Sequence, residues 1–491
     1  MIPEGFDPRI MSLIINMPDK FSVGNSIIDT TCSDANITFN PINMHYKVSS
    51  LTKKSNNICT PTFTNTSRTR LNDYIISLAG TTQGDGQVVN ETVSFGNRLD
   101  SNSYTNVSND TTYPFSWDAE NRTWISTNRT ITGTTSEIAF KVRSSGDYQI
   151  CYKQPTSGSD TSNNFGRIYK NGITVKSLQG FSGSTCYSIG ELTTSDIIMV
   201  DYRIMIAPQS KYEYYVEFYL KKVSDTNSYR YEGQKPNNYI YFNNEIWRII
   251  GVFDSSTHGI NNAKLVKIVR SEPIGSYVWN TTLDNDWSNS SLYHLLNDYY
   301  YNATDGTSSE YCYQYFNSES RSVKGDCNYS KKGLQIDYRK MVQNVNWYSG
   351  VREHTDATAS TFYTQERDIY SKMCSTSNTT TAGYVGLIYA SDFGYSVLSS
   401  DCPKTNDITY SLNSSTCSRN LWLKNYKIST LTLGCSSDKQ CITYVYNNLI
   451  VGCDTTFNNT SYQVLPTLYL KSDVLVIDGD GSISNPYKIG I

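Results

Sequence analysis

Histidine is scarce in this 491-residue chain, where only His45, His258, His294 and His354 occur. No HxH or HExxH spacing exists, which excludes a histidine-built zinc hydrolase site. No P-loop, GxGxxG or GxSxG motif is present, so no nucleotide cofactor or serine nucleophile is expected, and no cofactor of any other kind. Basic clusters never exceed three residues and the net charge is −3, which argues against a nucleic-acid groove or an anionic-membrane patch. No apolar run approaches the roughly 18–20 residues of a membrane span. The opening residues, MIPEGFDPRIMSLIIN, also lack the charged and apolar regions of a signal peptide.

Cysteine, by contrast, is plentiful. There are 12, an even number, and none lies in a CxxC pair. That pattern predicts disulfides, six of them, and so an extracellular or cell-surface location. An export signal is then expected to have been removed from this chain. The 40 tyrosines suit half-exposed strands and contact surfaces, since each buries a ring while keeping a hydroxyl in water. Fifteen N-x-S/T sequons, from Asn36 to Asn459, could carry glycans in a eukaryotic secretory protein. In a chain so rich in Asn and Thr, chance is the better explanation.

The hydrophobic pattern divides the chain. Residues 1–68 alternate short apolar runs with polar turns and read as a small β unit, stapled by Cys32 and Cys59. Residues 69–112 read as a helix, Leu71 to Leu78 with Gly80 as its stop, followed by a polar linker. Residues 113–224 hold short alternating strands between turn clusters and predict a β-sandwich. Cys151 and Cys186 are the only thiols there and should pair. Residues 225–491 read as α+β. A meander runs through 238–242, the turn Asn243-Asn244, 246–253 and 264–269. A helix is expected from Trp287 to Asn297, capped by Asp286 or Ser288, and a second helix lies between 299 and 381. Strands return at 384–388, at 441–451 around a turn at Asn447-Asn448, and at the C-terminus.

Four strings in order, FNNEIWRIIGVF (242–253), DWSNSSLYHLLNDYYYN (286–302), VGLIYASDFGY (385–395) and VLPTLYLKSDVLVIDGDGSISNPY (464–487), resemble a family of surface and pilin-like proteins of low-GC Gram-positive gut bacteria. NSYRYEGQKPNNYIYF (227–242) is similar to that family's opening strand, and Arg70–Gly80 to its preceding helix. The resemblance implies that 225–491 folds like the formylglycine-generating-enzyme branch of C-type-lectin-like domains. The fold class expected is thus multidomain and β-rich, with a β-sandwich inserted next to an α+β C-type-lectin-like domain. Enzymes of that branch need a reactive cysteine pair. Cys435, Cys441 and Cys453 read instead as structural disulfides, as do Cys312, Cys327, Cys374, Cys402 and Cys417. The Glu-Pro-Asn, Gln-Pro-Asp and Trp-Asn-Asp strings of calcium-dependent lectins are absent.

Few residues suggest chemistry. Asp478-Gly-Asp480-Gly-Ser482 opens like a calcium loop, but Ile489 stands where the twelfth-position glutamate belongs, so a tight turn is expected and metal is not. Trp279, Asp284, Asp286, Trp287, Trp347 and Tyr348 could line a surface where rings stack on sugars and carboxylates accept hydroxyls. Against this, Asp284 and Asp286 adjoin a helix start that favours acids, and Trp287 reads as core. Without a nameable acid/base pair, catalysis is not expected. The function expected is binding or adhesion outside the cell, to a glycan or protein ligand. A structural subunit of a surface filament, built from copies of the chain, is the alternative, and a carbohydrate-active enzyme a second.

Overall fold

The computed structural model of the chain describes residues 69–99, 136–153, 165–179, 184–203, 217–316, 322–352, 358–367, 379–400, 402–404, 422–423, 427–436, 439–446, 449–456 and 458–491, together with the backbone of short strands within 13–65 and 104–126. It is β-rich, with several separate sheets. Two compact units emerge, one of Met1–Thr92 with Asn227–Ile491, the other of Val93–Thr226. The second is therefore an insertion in the first.

The inserted unit starts earlier than 113, because the stretch read as linker contains a long strand. Asp85–Arg98 pairs with Glu217–Lys235, and Tyr104–Asn106 pairs with Ser136–Val142. Val88 and Val93 are buried on that first strand, too thin an apolar signal among polar neighbours to mark it. Within the unit, the strands Ile173–Gln179, Phe165–Lys170, Ile197–Arg203, Ser136–Val142 and Tyr104–Asn106 form one sheet in that order. Gly146–Lys153 pairs with Ser184–Leu192 on one side and Glu217–Lys235 on the other. Alternate residues of both groups, among them Phe140, Val200, Ile150 and Leu220, share a single core, which is the packing of a sandwich. Cys151 lies directly opposite Cys186 in the ladder, and the two are bridged across a Cα–Cα distance of 4.0 Å.

The larger unit is built on the expected meander. Tyr239–Phe242 and Glu245–Phe253 pair through a two-residue turn in which Asn243 and Asn244 both have positive φ, 55° and 62°. That geometry matches the right-handed twist of the strands. Glu245–Phe253 also pairs with Leu265–Arg270, which pairs with Thr467–Leu470. On the other side, Tyr239–Phe242 runs parallel to Tyr487–Gly490. A second sheet carries Ser276–Val278, Ser461–Gln463, Ile428–Ser436, Lys439–Tyr446 and Leu449–Asp454. The last two pair as a hairpin with Tyr446 opposite Leu449; the turn at Asn447-Asn448 itself lies outside the described residues. The first helix is Leu71–Ser77, with Leu71 and Ile75 buried, and Gly80 follows it at φ 77°.

Two expectations change here. The helix expected over Trp287–Asn297 is one α-helical turn, Ser291–His294, running into a π-helix, Leu295–Tyr300. Its cap is Ser290, whose hydroxyl accepts from the Tyr293 N–H at 3.0 Å, while Asp286 is spent on an earlier turn. Residues 384–388 form only a two-residue strand, Val385–Gly386, before the helix Ala390–Tyr395 starts. Between 299 and 381, where a second helix is expected, stand the single turn Ile336–Arg339 and the longer helix Ala359–Arg367.

Among the cysteines, Cys312 and Cys327 are bridged, and Cys402 and Cys441 are each disulfide-bonded. No described cysteine is free. Cys435 and Cys453 lie in the strands Ile428–Ser436 and Leu449–Asp454. Cys32, Cys59, Cys374 and Cys417 fall outside the described residues. In the segment 1–68, Leu13–Asn16, His45–Ser49 and Asn36–Asn40 form a small sheet and Asn25–Thr30 pairs with Pro61–Asn65.

One turn is held by glycine. Gly481 has φ 77°, and a Cβ there would lie 2.3 Å from the Tyr487 ring and 2.4 Å from the Asn237 carbonyl oxygen. Gly80 shares that φ but a Cβ would meet nothing within 4 Å. Gly80→Ala should therefore lose about 1 kcal/mol, the left-handed penalty alone. Gly481→Ala should lose about 2 kcal/mol more through overpacking, measured by urea unfolding of both variants.

Candidate functional site

The residues expected to form a sugar-stacking surface do not form one. Trp279, Trp287 and Trp347 are fully buried, so none offers a ring face to solvent. Trp279 and Trp287 pack on each other at 5.2 Å between ring centroids. Asp284 accepts from the Asp286 N–H, and Asp286 accepts from the N–H and hydroxyl of Ser288, each at 2.9 Å. Their carboxylates shape the turn before the Ser291 helix. Trp347 packs elsewhere, against Tyr389 and Tyr469, with its indole N–H donating to the Gly383 carbonyl at 3.0 Å. Tyr348 exchanges two backbone hydrogen bonds with the Tyr389 hydroxyl. In the Asp478–Ser482 turn, Asp478 accepts from Lys488 and Asp480 from the Ser482 N–H, so both carboxylates are engaged in local bonds. No group of three His, Cys, Asp or Glu side chains suited to a metal comes together among the described residues.

Sequence reading missed a buried charge cluster. Asp392, in the first turn of Ala390–Tyr395, accepts from Lys267 Nζ at 2.5 Å and from Arg230 Nη1 at 3.0 Å. All three side chains are sealed from solvent. Arg230 lies over the rings of Tyr395 and Phe253, at 4.2 and 4.5 Å from their centroids, and Lys267 lies 4.5 Å from that of Tyr389. Nearby, the Glu366 carboxylate accepts from Ser391 and Thr432 hydroxyls and from Arg367, whose guanidinium sits 3.6 Å above the Tyr363 ring. Burial pushes the Asp392 carboxyl up, but Lys267 and Arg230 outweigh it and hold the group below its ordinary value. With no opening to solvent, the cluster organises the fold.

An open site lies at the edge of the same unit. A cavity of about 570 Å³ is lined by Tyr239, Glu245, Arg248, Arg270, Glu272 and Trp422, with an apolar wall of Leu423, Ile428 and Leu465. The meander positions its two arginines. Arg248 stands opposite Tyr239 across one ladder and Arg270 opposite Trp247 across the next. The exposed Ile483, carried by the loop that follows Gly481, completes the lining.

The two guanidinium groups are in different states. Arg270 is largely committed: it grips both Glu245 oxygens at 2.8 and 2.6 Å and donates to the carbonyls of Glu272 and Pro273. Burial opposes its charge, yet Glu245 more than offsets this. Arg248 donates from Nε to Asn238 Oδ1 at 2.6 Å and is also hydrogen-bonded to the Tyr239 side chain. Asn238 is fixed in turn by donating to the Ile249 carbonyl at 2.7 Å. The guanidinium lies 3.8 Å from the Tyr239 ring centroid and 4.8 Å from that of Trp422. Its Nη2 is buried without a hydrogen-bond partner, and no carboxylate pairs with it among the described residues. Burial pushes its pKa down to about 10, so it stays charged at neutral pH. The cavity thus holds a desolvated cation that has no counterion among the described residues.

No known family matches the chain, and no curated protein does. Among solved structures, the chain is similar to dimeric latent PorU from Porphyromonas gingivalis. The match is 13% identical, covers 40% of this chain and 18% of that one, and has a TM-score of 0.14. A likeness that weak carries no argument about fold or function.

Proposed function

We propose that this chain is a secreted or cell-surface protein that works by binding or adhesion, with the Arg248 cavity as its ligand site. The observation that carries the reading is the half-buried guanidinium of Arg248, whose Nη2 has no hydrogen-bond partner, in the lining of a cavity with an apolar wall. A cation kept there without a partner costs stability, and a ligand that supplied the missing charge would recover it. The disulfides fit an oxidising, extracellular setting. A C-type-lectin-like fold for the larger unit would suit the role, since such a scaffold presents a ligand site on loops. A thermal-shift screen against peptide and glycan panels tests the reading. At least one ligand should raise the Tm of the wild type and leave that of Arg248→Met unmoved; no such ligand in either panel would count against it.

Assembly from copies of the chain is the second reading, and one feature favours it. Ile173 and Val175 are 72% and 43% exposed on Ile173–Gln179, the edge strand of the inserted unit. Exposed apolar edges template strand pairing. Val175→Lys should then abolish polymers seen by negative-stain microscopy; a wild type that stays monomeric at high concentration would remove this reading.

A further inference from the structure

The geometry points to a ligand that joins an apolar body to a single terminal carboxylate, seated with the carboxylate on Arg248 and the body against Leu423, Ile428 and Leu465. This rests on the binding reading above and specifies its chemistry.

Charge comes first. Arg270 spends four of its five N–H groups on Glu245 and two carbonyls, whereas Nη2 of Arg248 has no hydrogen-bond partner. A planar carboxylate matches a guanidinium fork, and in a site withdrawn from water that pairing is strong. Glu245 and Glu272 line the same cavity. Their negative field favours a monoanion over a dianion such as a phosphate monoester.

The walls decide the rest of the ligand. A sugar brings several hydroxyls, each needing a partner once it leaves water. Most polar groups here are already engaged, and the Ser271 hydroxyl alone could serve at most one or two of those hydroxyls. Glu245 serves Arg270 and the Trp247 indole N–H, and the Trp422 indole N–H donates to the Tyr231 carbonyl at 2.8 Å. Leu423, Ile428 and Leu465 are nearly fully buried and can only cover apolar surface. A volume of about 570 Å³ suits one or two side chains rather than an extended polymer. Two sources share this chemistry: the C-terminus of a peptide ending in apolar residues, and a free branched-chain or aryl acid.

Calorimetry on the full chain tests it, with four probes: the peptide acetyl-Gly-Gly-Phe-Leu as free acid, the same peptide as C-terminal amide, 4-methylpentanoate, and glucuronate. The peptide acid should bind and the amide bind at least about tenfold more weakly. Arg248→Met should abolish binding of the acid. If that variant fails to fold, Ile483→Trp, at an exposed position of the lining, should still weaken the acid by narrowing the cavity. 4-Methylpentanoate binding as tightly as the peptide assigns the site to free acids; much weaker binding assigns it to chain termini. Equal binding of acid and amide would overturn the carboxylate assignment. Glucuronate bound through Arg248 in place of the apolar acids would replace the ligand class while keeping the cavity as the binding site. If no probe binds and Ile483→Trp leaves every response in the thermal-shift screen unchanged, the cavity itself is not the binding site.

Discussion

Asp392→Asn is expected to destabilise the larger unit by about 3–5 kcal/mol, the range for breaking a buried ion pair. The amide has nearly the shape of the carboxylate, so the loss isolates charge. Lys267 and Arg230 would both remain, sealed from solvent and facing a neutral group. One carboxamide nitrogen would also point a donor at another donor, since both carboxylate oxygens now accept from cations. Tyrosine and phenylalanine rings around Arg230 and Lys267 soften the penalty but supply no counter-charge. Urea unfolding followed by tryptophan fluorescence reads the effect, because Trp347 packs in the same region. The exposed Lys488–Asp478 pair is the control, where Asp478→Asn should cause no measurable loss. A loss for Asp392→Asn below about 1 kcal/mol would mean that Lys267 sheds its proton and the cluster is neutral.

His258 should make stability fall between about pH 6.5 and about pH 4. Its ring is buried, with Nδ1 accepting the Ile260 N–H and Nε2 facing the Phe253 carbonyl, each at 3.2 Å. Nε2 therefore carries the single proton, and adding a second would cost Nδ1 the bond it accepts from the Ile260 N–H. Burial pushes the pKa down to about 4; backbone bonds to Phe253 and Ala263 and the charge of Asp254 favour the protonated form without offsetting burial, and Arg367 opposes it. The folded pKa thus lies below the unfolded value of about 6.5. As pH falls, the unfolded chain takes up the proton first, so stability is complete above about 6.5 and is lost on the way down to about 4. The lost amount is about 3 kcal/mol, from 1.36 kcal/mol for each unit of displacement. Asp392, held low by its two cations, adds its own loss only at more acid pH. Unfolding free energies at intervals from pH 7.5 to 4 should slope for the wild type and be nearly flat for His258→Gln. Equal slopes would show that His258 is protonated within the fold.

The legible parts of this fold were those encoded locally. Alternating runs marked the meander, Asn243-Asn244 marked its turn, and the lone pair Cys151 and Cys186 marked their own bridge. The Asp85–Arg98 strand escaped because its few apolar residues, Val88, Val89, Val93 and Phe95, do not alternate regularly among polar ones. The charge cluster escaped for a different reason: Asp392 is 162 residues from Arg230 and 125 from Lys267, so only the folded chain assembles it. Each member did leave a trace. Lys267 interrupts the run Leu265-Val-Lys-Ile-Val269, and Asp392 interrupts VGLIYASDFGY. A charge placed inside an apolar run demands a partner, and the sequence does not say which. The cavity was least legible of all. Arg248 sits in an ordinary strand, and Trp422 reaches it from far along the chain. The tyrosine excess finds part of its meaning here, since Tyr363, Tyr389, Tyr395 and Tyr239 lie beside buried cations.

Thr92, where the chain leaves the larger unit, and Asn227, where it returns, are hydrogen-bonded to each other side chain to side chain at 2.8 Å. To its host, everything between them is a single loop with its ends already joined. Closure entropy grows only slowly with loop length, so the host fold is nearly indifferent to what that loop contains. A few glycines could stand there, or a different module altogether. The Thr92–Asn227 contact is thus a socket, at which one inserted module could replace another while the Arg248 cavity and the Asp392 cluster stay untouched.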